Sequence, residues 1–254
     1  MEKFHKEYLD LILVPIGLLI MFGYHLYLLH KYLNRPHSTV IGFENNDRKA
    51  WVERIMQASV SSSSSIFPLE RYSIYAEKKD VGTALSVIQS NISAATYLAS
   101  VSLTLCSLIG AWIANSSNIF FKSQLIYGDT RPTTVSIKYI CLLTSFLLAF
   151  ACFIQSTRHF VHATYLISIP DSSIPVSNVE IAVIRGSDFW ALGLRALYFA
   201  LDLLLWFFGP IPMFICSVVM VMALHYLDSN SRPLLLHNKP QGSQVSVAKR
   251  ECLS

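Results

Sequence analysis

The chain has 254 residues, of which 53% are hydrophobic and only 14% charged, and its mean hydropathy is +0.45. That balance excludes an ordinary soluble domain and places the polypeptide in a lipid bilayer. The net charge of +4 is small, and the 20 Lys and Arg are scattered without a basic run or an interleaved aromatic stripe, so nucleic acid is excluded as a partner.

A helix needs about 20 mostly apolar residues to cross a bilayer. No Asp, Glu, Lys or Arg falls between Asp10 and Lys31, which gives a first span over 11–30. It begins too near the N-terminus, and lacks a small-residue cleavage site, to be a signal peptide, and reads as a retained signal anchor. A hydrophilic loop over 31–84 follows, too short and polar to build its own core. Within it ENNDRKAWVERIMQA predicts an amphipathic helix, capped by Asn46 or Asp47, with Trp51, Ile55 and Ala58 on one face. Such a helix docks on the membrane surface or on the end of the bundle, or else receives a partner. The serine-rich SVSSSSSIFPLERYSIYA predicts a flexible loop.

The second span covers 92–114. Its Ala95, Ala99, Ser102, Cys106, Gly110 and Ala114 recur at steps of three and four, a narrow small-residue stripe of the kind that lets helices approach closely in lipid, so this helix is expected at the centre of the bundle. The third span, 139–157, is framed by Lys138 and Arg158, and RHFVHATYLISIP extends its helix through the interface to Pro170. The last apolar region, 189–227, is long for one crossing and short for two with a polar turn. Gly209, Pro210 and Pro212 divide it. Either GPIP is the tip of a hairpin, giving five spans, or one long kinked helix crosses over 196–226. The apolar residues around the tip favour the kinked helix. Its prolines free carbonyls near Trp206 and Phe208, so GPIP must face protein, a polar side chain or water. A polar tail occupies 231–254.

With four spans, nine basic residues fall on the N-terminal side and eleven on the other, which decides nothing. Lys31 and Arg35, just after the first span, favour an N-terminus outside.

The stretches HSTVIGFENNDRKAWVERIMQ, GTALSVIQSNISAATYLASVSLTLCSLIGAWI, FLLAFACFIQSTRHFVHATYLISIP and RGSDFWALGLRALYFALDLLLWFFGPIPMF together resemble the plant multi-pass membrane family called domain of unknown function 599. The resemblance covers most of 9–227, and the combination of NNDRKAWV, QSTRHFVHATYLI and LWFFGPIPMF is specific. It implies a four-span integral membrane protein with no assigned activity, so no catalytic residue carries over. Two departures stand out: 59–76 looks inserted, and Asp202 occupies a position that is apolar or proline in the family pattern.

Charged groups inside a membrane mark function by default. Arg195 and Asp202 share a helix face two turns apart, too far to pair without reaching, and Asp202 is expected to pair with Arg195 or Arg158, or else to hold a proton or cation or to lie exposed near the surface. The intramembrane polar and hinge candidates are therefore Arg158, Arg195, Asp202, Gly209, Pro210 and Pro212. His159 and His162 share a face and form a weaker candidate pair, but two interfacial histidines more often meet headgroups than metal. Cys106, Cys141, Cys152 and Cys216 lie in apolar stretches, Cys252 lies in the tail, and no C-x-x-C pair occurs. No nucleophile elbow, P-loop or H-E-x-x-H motif appears.

These features predict an all-α integral membrane helical bundle of four transmembrane helices, with neither metal nor cofactor. The leading function is a non-enzymatic interaction, scaffold or trafficking component, oligomeric through helix association. Its partners are the lipid bilayer and other copies or other membrane proteins, in the plasma membrane or an endomembrane. The alternative is a small oligomeric transporter or channel using the broken last helix, and a lipid-headgroup enzyme is third.

Overall fold

A chain whose backbone lies in hydrocarbon must satisfy its N–H and C=O groups internally, and here it does so with helices. The computed structural model describes residues 2–64, 71–115, 131–169 and 175–229. They form α1 (Glu2–Asn34), a short 3-10 turn (Pro36–Ser38), α2 (Val40–Ser64), α3 (Arg71–Asn115), α4 (Pro132–Ser168), α5 (Val176–Leu205) and α6 (Pro210–Asp228). Among the described residues there is no strand, only an isolated bridge between Thr39 and Ser229. Four helical segments are long and apolar enough to cross a membrane: Leu9–Asn34, Asp80–Trp112, Pro132–Ser168 and Pro210–Asp228.

The last apolar region is not one kinked helix. Ser217 donates to Asp202 at 2.8 Å, whereas in a continuous helix the two would stand about 22 Å apart. Arg195 is ion-paired with Asp228, a pair that one straight helix would separate by about 50 Å. α5 and α6 are therefore an antiparallel hairpin whose tip is the break at 206–209. The apolar character of the tip misled because its polar backbone groups are closed inside the protein.

α5 carries more charge than the four segments above, yet it runs the length of α4. At one end Tyr139 of α4 meets the Phe207 ring, with centroids 4.8 Å apart. At the other, Phe160, Ala163 and Ile167 pack with Val179, Ala182 and Val183. Between these ends glycine permits contact: a Cβ on Gly193 would lie 2.7 Å from the Phe153 ring, and one on Gly186 would lie 2.9 Å from that of Phe160. Two fully or nearly fully buried phenyl rings thus sit on bare backbone.

This pair, and not the second span, is the centre of the bundle. α3 packs against α4 and α2, using Ala95, Ala99, Ser102 and Cys106 of its small stripe, while Gly110 remains exposed. α1 packs on α6, where a Cβ on Gly17 would come within 2.9 Å of the Ser217 hydroxyl.

Five helices thus run lengthwise between two ends. The turn end holds the start of α1, the end of α3, the start of α4 and the α5–α6 break. The head end holds the remaining termini and is covered by α2, whose Val52, Ile55 and Met56 are buried against Ala84, Ile88 and Val179. α2 starts earlier than its sequence suggests, because Thr39 rather than Asn46 or Asp47 caps it: the Gly42 N–H donates to Thr39 Oγ1 at 3.2 Å. The serine stretch also differs from a loop, since α2 runs to Ser64 and α3 begins at Arg71. Residues 65–70 of the expected insertion, the tail over 231–254 and Cys252 lie outside the described residues.

The hairpin changes the charge balance between the faces. Among the described residues, Lys3, Lys6, Arg131 and Lys138 belong to segments at the turn end, and the other eleven Lys and Arg belong to the head side.

The hairpin and the kinked helix predict opposite positions for Ser229. In a cysteine-free background reconstituted into sealed vesicles, Ser229→Cys is expected to react with an impermeant maleimide from the same side as Arg35→Cys and the opposite side from Arg131→Cys. Shared labelling with Arg131→Cys would restore the single kinked crossing.

Candidate functional site

Four groups of buried or part-buried polar side chains hold the hairpin together and tie it to its neighbours. At the turn end, residues 206–208 form a turn and Gly209 takes φ of 144°, a conformation that only glycine adopts without strain. The freed carbonyl at Trp206 is satisfied twice, by the Gly209 N–H at 3.2 Å and by the ammonium of Lys138 from α4 at 3.1 Å. The same ammonium lies 5.1 Å from the centre of the Trp206 ring. The indole N–H in turn donates to Asp10 Oδ1 of α1 at 3.2 Å. Asp10, Lys138, Trp206 and Pro210 are all buried. The expectation that GPIP faces protein and a polar group is met by this arrangement, and Pro210 opens α6 at a position where a missing N–H costs nothing. Pro212 is the third residue of α6, still within its first turn, and half-buried.

At mid-depth Asp202 is completely buried between α5 and α6. Its Oδ2 accepts from Ser217 at 2.8 Å, and the thiol of Cys216 also lies within hydrogen-bonding reach. Oδ1 has no partner. Neither expected arginine reaches it. Arg195 is held by Asp228, and Arg158 lies near the level where Ser156 donates to the Gly186 carbonyl at 2.7 Å. Gly186 is sixteen residues from Asp202 on α5, about 24 Å along the axis.

Toward the head end, Asp228 accepts from Arg195 of α5 and, through Oδ2, from the Tyr24 hydroxyl of α1 at 2.7 Å, binding three helices. Farther out, Asn45 of α2 donates to Asp188 Oδ1 of α5 at 3.1 Å and to the Tyr32 hydroxyl of α1 at 3.2 Å, and Arg48 donates to Asn45 Oδ1 at 2.9 Å. The head helix is therefore bonded to the bundle as well as packed on it.

The structure thus disperses the sequence candidates. Asp202, Gly209 and Pro210 belong to the hairpin interior, and Arg195 to the Asp228 pair. Arg158 and His162 are exposed on α4, while His159 stacks on Phe189 with ring centroids 5.5 Å apart and an interplanar angle of 12°. Lys138, Asp10, Asp228 and Tyr24 were missed. Lys138 and Asp10 sat at predicted span edges, where charge is ordinary, and Asp228 sat just past the last predicted span. Among the described residues no group of three or more His, Cys, Asp or Glu is placed to hold a metal ion.

Removing the cation from the turn leaves the Trp206 carbonyl with a single donor. Lys138→Met is expected to destabilise the detergent-solubilised protein by about 1–3 kcal/mol, the cost of a buried polar group losing its partner. The exposed Lys49→Met should leave the melting temperature unchanged, and equal melting of the two variants in a thermal-shift assay would remove Lys138 from this role.

The chain belongs to the family described as "Protein of unknown function, DUF599", which it matches over residues 12–67 and 71–233. No curated protein and no solved structure matches it.

Proposed function

We propose that this member of a family of unknown function is a non-enzymatic membrane component that works by associating through its helices with other copies of itself or with other membrane proteins. The observation that carries this reading is the closed interior of the hairpin. In transporters a broken helix exposes carbonyls to a substrate path. Here the carbonyl beside the break is occupied by Lys138, and Gly209, Pro210 and Met213 are buried around it.

What is open is the lipid-facing surface. The membrane-length windows of α1, α3 and α6 are only 28%, 28% and 22% buried, so most of each helix faces outward. α3 offers the face best suited to another helix. Ser86, Ser90, Ser93, Ser100, Thr104 and Ser107 are exposed and recur at steps of three and four around Tyr97. Five of these hydroxyls are turned back onto carbonyls of their own helix, for example Ser93 to Gln89 at 3.0 Å and Thr104 to Ser100 at 2.8 Å. The face is thus small and internally satisfied, which permits close backbone approach in lipid. The inner stripe of α3, Ala95 to Cys106, is already occupied by α4.

Subunit counting in bilayer discs tests the association. Wild type is expected to oligomerise. Ser93→Leu/Ser100→Leu/Ser107→Leu should shift it toward monomer by blocking close helix approach, with an unchanged melting temperature. A wild type that stays monomeric at every protein-to-lipid ratio would defeat the reading.

The orphan oxygen of Asp202 favours a second reading, in which that carboxyl holds a proton or cation in transit. Proteoliposomes assayed with a panel of ions and solutes are expected to show no flux. Flux that Asp202→Asn abolishes would replace association with transport.

A further inference from the structure

A concentration of positive charge lies in a cleft between α4 and α5 near the head end. Arg158, His159, His162 and Tyr165 of α4 and Arg185 of α5 line an opening of about 560 Å³. It adjoins a second opening of about 500 Å³, where His159 and Arg185 are joined by Asp188, Phe189 and Leu192. Both guanidinium groups are exposed, and among the described residues neither has a hydrogen bond or an ion pair. The one acid on the rim, Asp188, is engaged by Asn45 and Tyr32. His159 lies close enough to Arg158, Arg185 and His162 to feel all three. Its ring is fixed by stacking on Phe189, so the positive groups converge on a partly prepared surface.

Two arginines with no acid between them repel each other and are well suited to a shared anion. The surroundings say which kind. Apolar side chains continue outward from the cleft: Ile154, Val161, Tyr165 and Leu192 are all exposed toward the region that lipid fills. An occupant would therefore carry a charged group in the cleft and hydrocarbon along α4.

Sidedness agrees. The positive-inside rule, applied to five lengthwise helices with the head side holding most of the described Lys and Arg, puts the head end toward the cytoplasm. Anionic lipid is concentrated in that leaflet.

We propose that the Arg158–His159–His162–Arg185 cleft binds the phosphate of an anionic phospholipid from the leaflet at the head end. The two arginines contact the phosphate oxygens, the histidines flank it, and the acyl chains follow the apolar surface beside Val161 and Leu192. This assignment depends on the membrane placement of α4 and not on self-association, so it survives if the chain proves monomeric.

Native mass spectrometry of the full-length protein in detergent tests it, with phosphatidic acid and phosphatidylcholine of identical chains as probes. Phosphatidic acid adducts are expected to persist on wild type. They should fall about tenfold in Arg158→Gln/Arg185→Gln, as when a charge-assisted hydrogen bond is removed, and fall less in Arg158→Lys/Arg185→Lys, where charge remains without the bidentate fork. Arg54→Gln, on the exposed face of α2, should behave as wild type. Equal retention of phosphatidylcholine, or full retention by the glutamine double variant, would overturn the proposal. Complete displacement by millimolar inorganic phosphate would overturn the lipid assignment in favour of a soluble phosphate.

Discussion

A lysine ammonium placed against the Trp206 carbonyl, just past the end of α5, is the contact on which the course of this chain depends. Ending a helix in a water-poor region leaves carbonyls that no solvent can satisfy, each at a cost of several kcal/mol. Lys138 reaches from the start of α4 to the Trp206 carbonyl and also covers the indole face, and Asp10 takes the indole N–H from the other side. With those groups satisfied, Gly209 can turn the backbone through a conformation closed to other residues, and Pro210 can begin a new helix in the opposite direction.

The reversal determines which parts of the protein meet. Because α6 returns alongside α5, Asp228 comes level with Arg195 and Tyr24, and Ser229 comes level with Thr39 at the start of the head. The head helix α2 is then held from three sides: by apolar contacts with α3 and α5, by Asn45 bonded to Asp188 and Tyr32, and by the bridge at Thr39. The same reversal gathers basic residues on one face. Among the described residues eleven Lys and Arg then stand on the head side against four at the turn end.

Hydropathy made the spans legible, because a charge-free run of twenty residues has few other uses. The docking face of α2 was also readable, since Ile55 and its neighbours repeat with a helical period. Chain direction after Pro212 was not, because proline reports only that a hydrogen bond is missing. Whether the chain bends or reverses depends on a donor sixty-eight residues away in sequence. The small-residue stripe of α3 correctly marked a close contact but wrongly implied centrality. A helix at the edge of a bundle can use one small face as fully as a helix in the middle, and the true centre is signalled by Gly186 and Gly193 beneath Phe160 and Phe153. The partner of Asp202 failed for a related reason: spacing along one helix places Arg195 on its face, but a second helix offers Arg195 a nearer carboxylate.

The two flanks of the α4–α5 pair are joined by different forces, and the difference bears on how the protein works. On the α1–α6 side the ties are polar and specific: Trp206 to Asp10, Ser217 to Asp202, Arg195 and Tyr24 to Asp228, with Gly17 pressed against Ser217. On the α3 side the side-chain contacts to α4 are chiefly apolar, and the weak bond from the Cys106 thiol to the Leu143 carbonyl, at 3.8 Å, is an exception. In lipid, apolar packing gains little over contact with acyl chains, whereas a buried polar bond fixes register. The α1, α5 and α6 group is consequently held in one register by these bonds. The α3 flank is held mainly by close fit, and its outward hydroxyl face is of the same small, internally satisfied kind on which the proposed association rests.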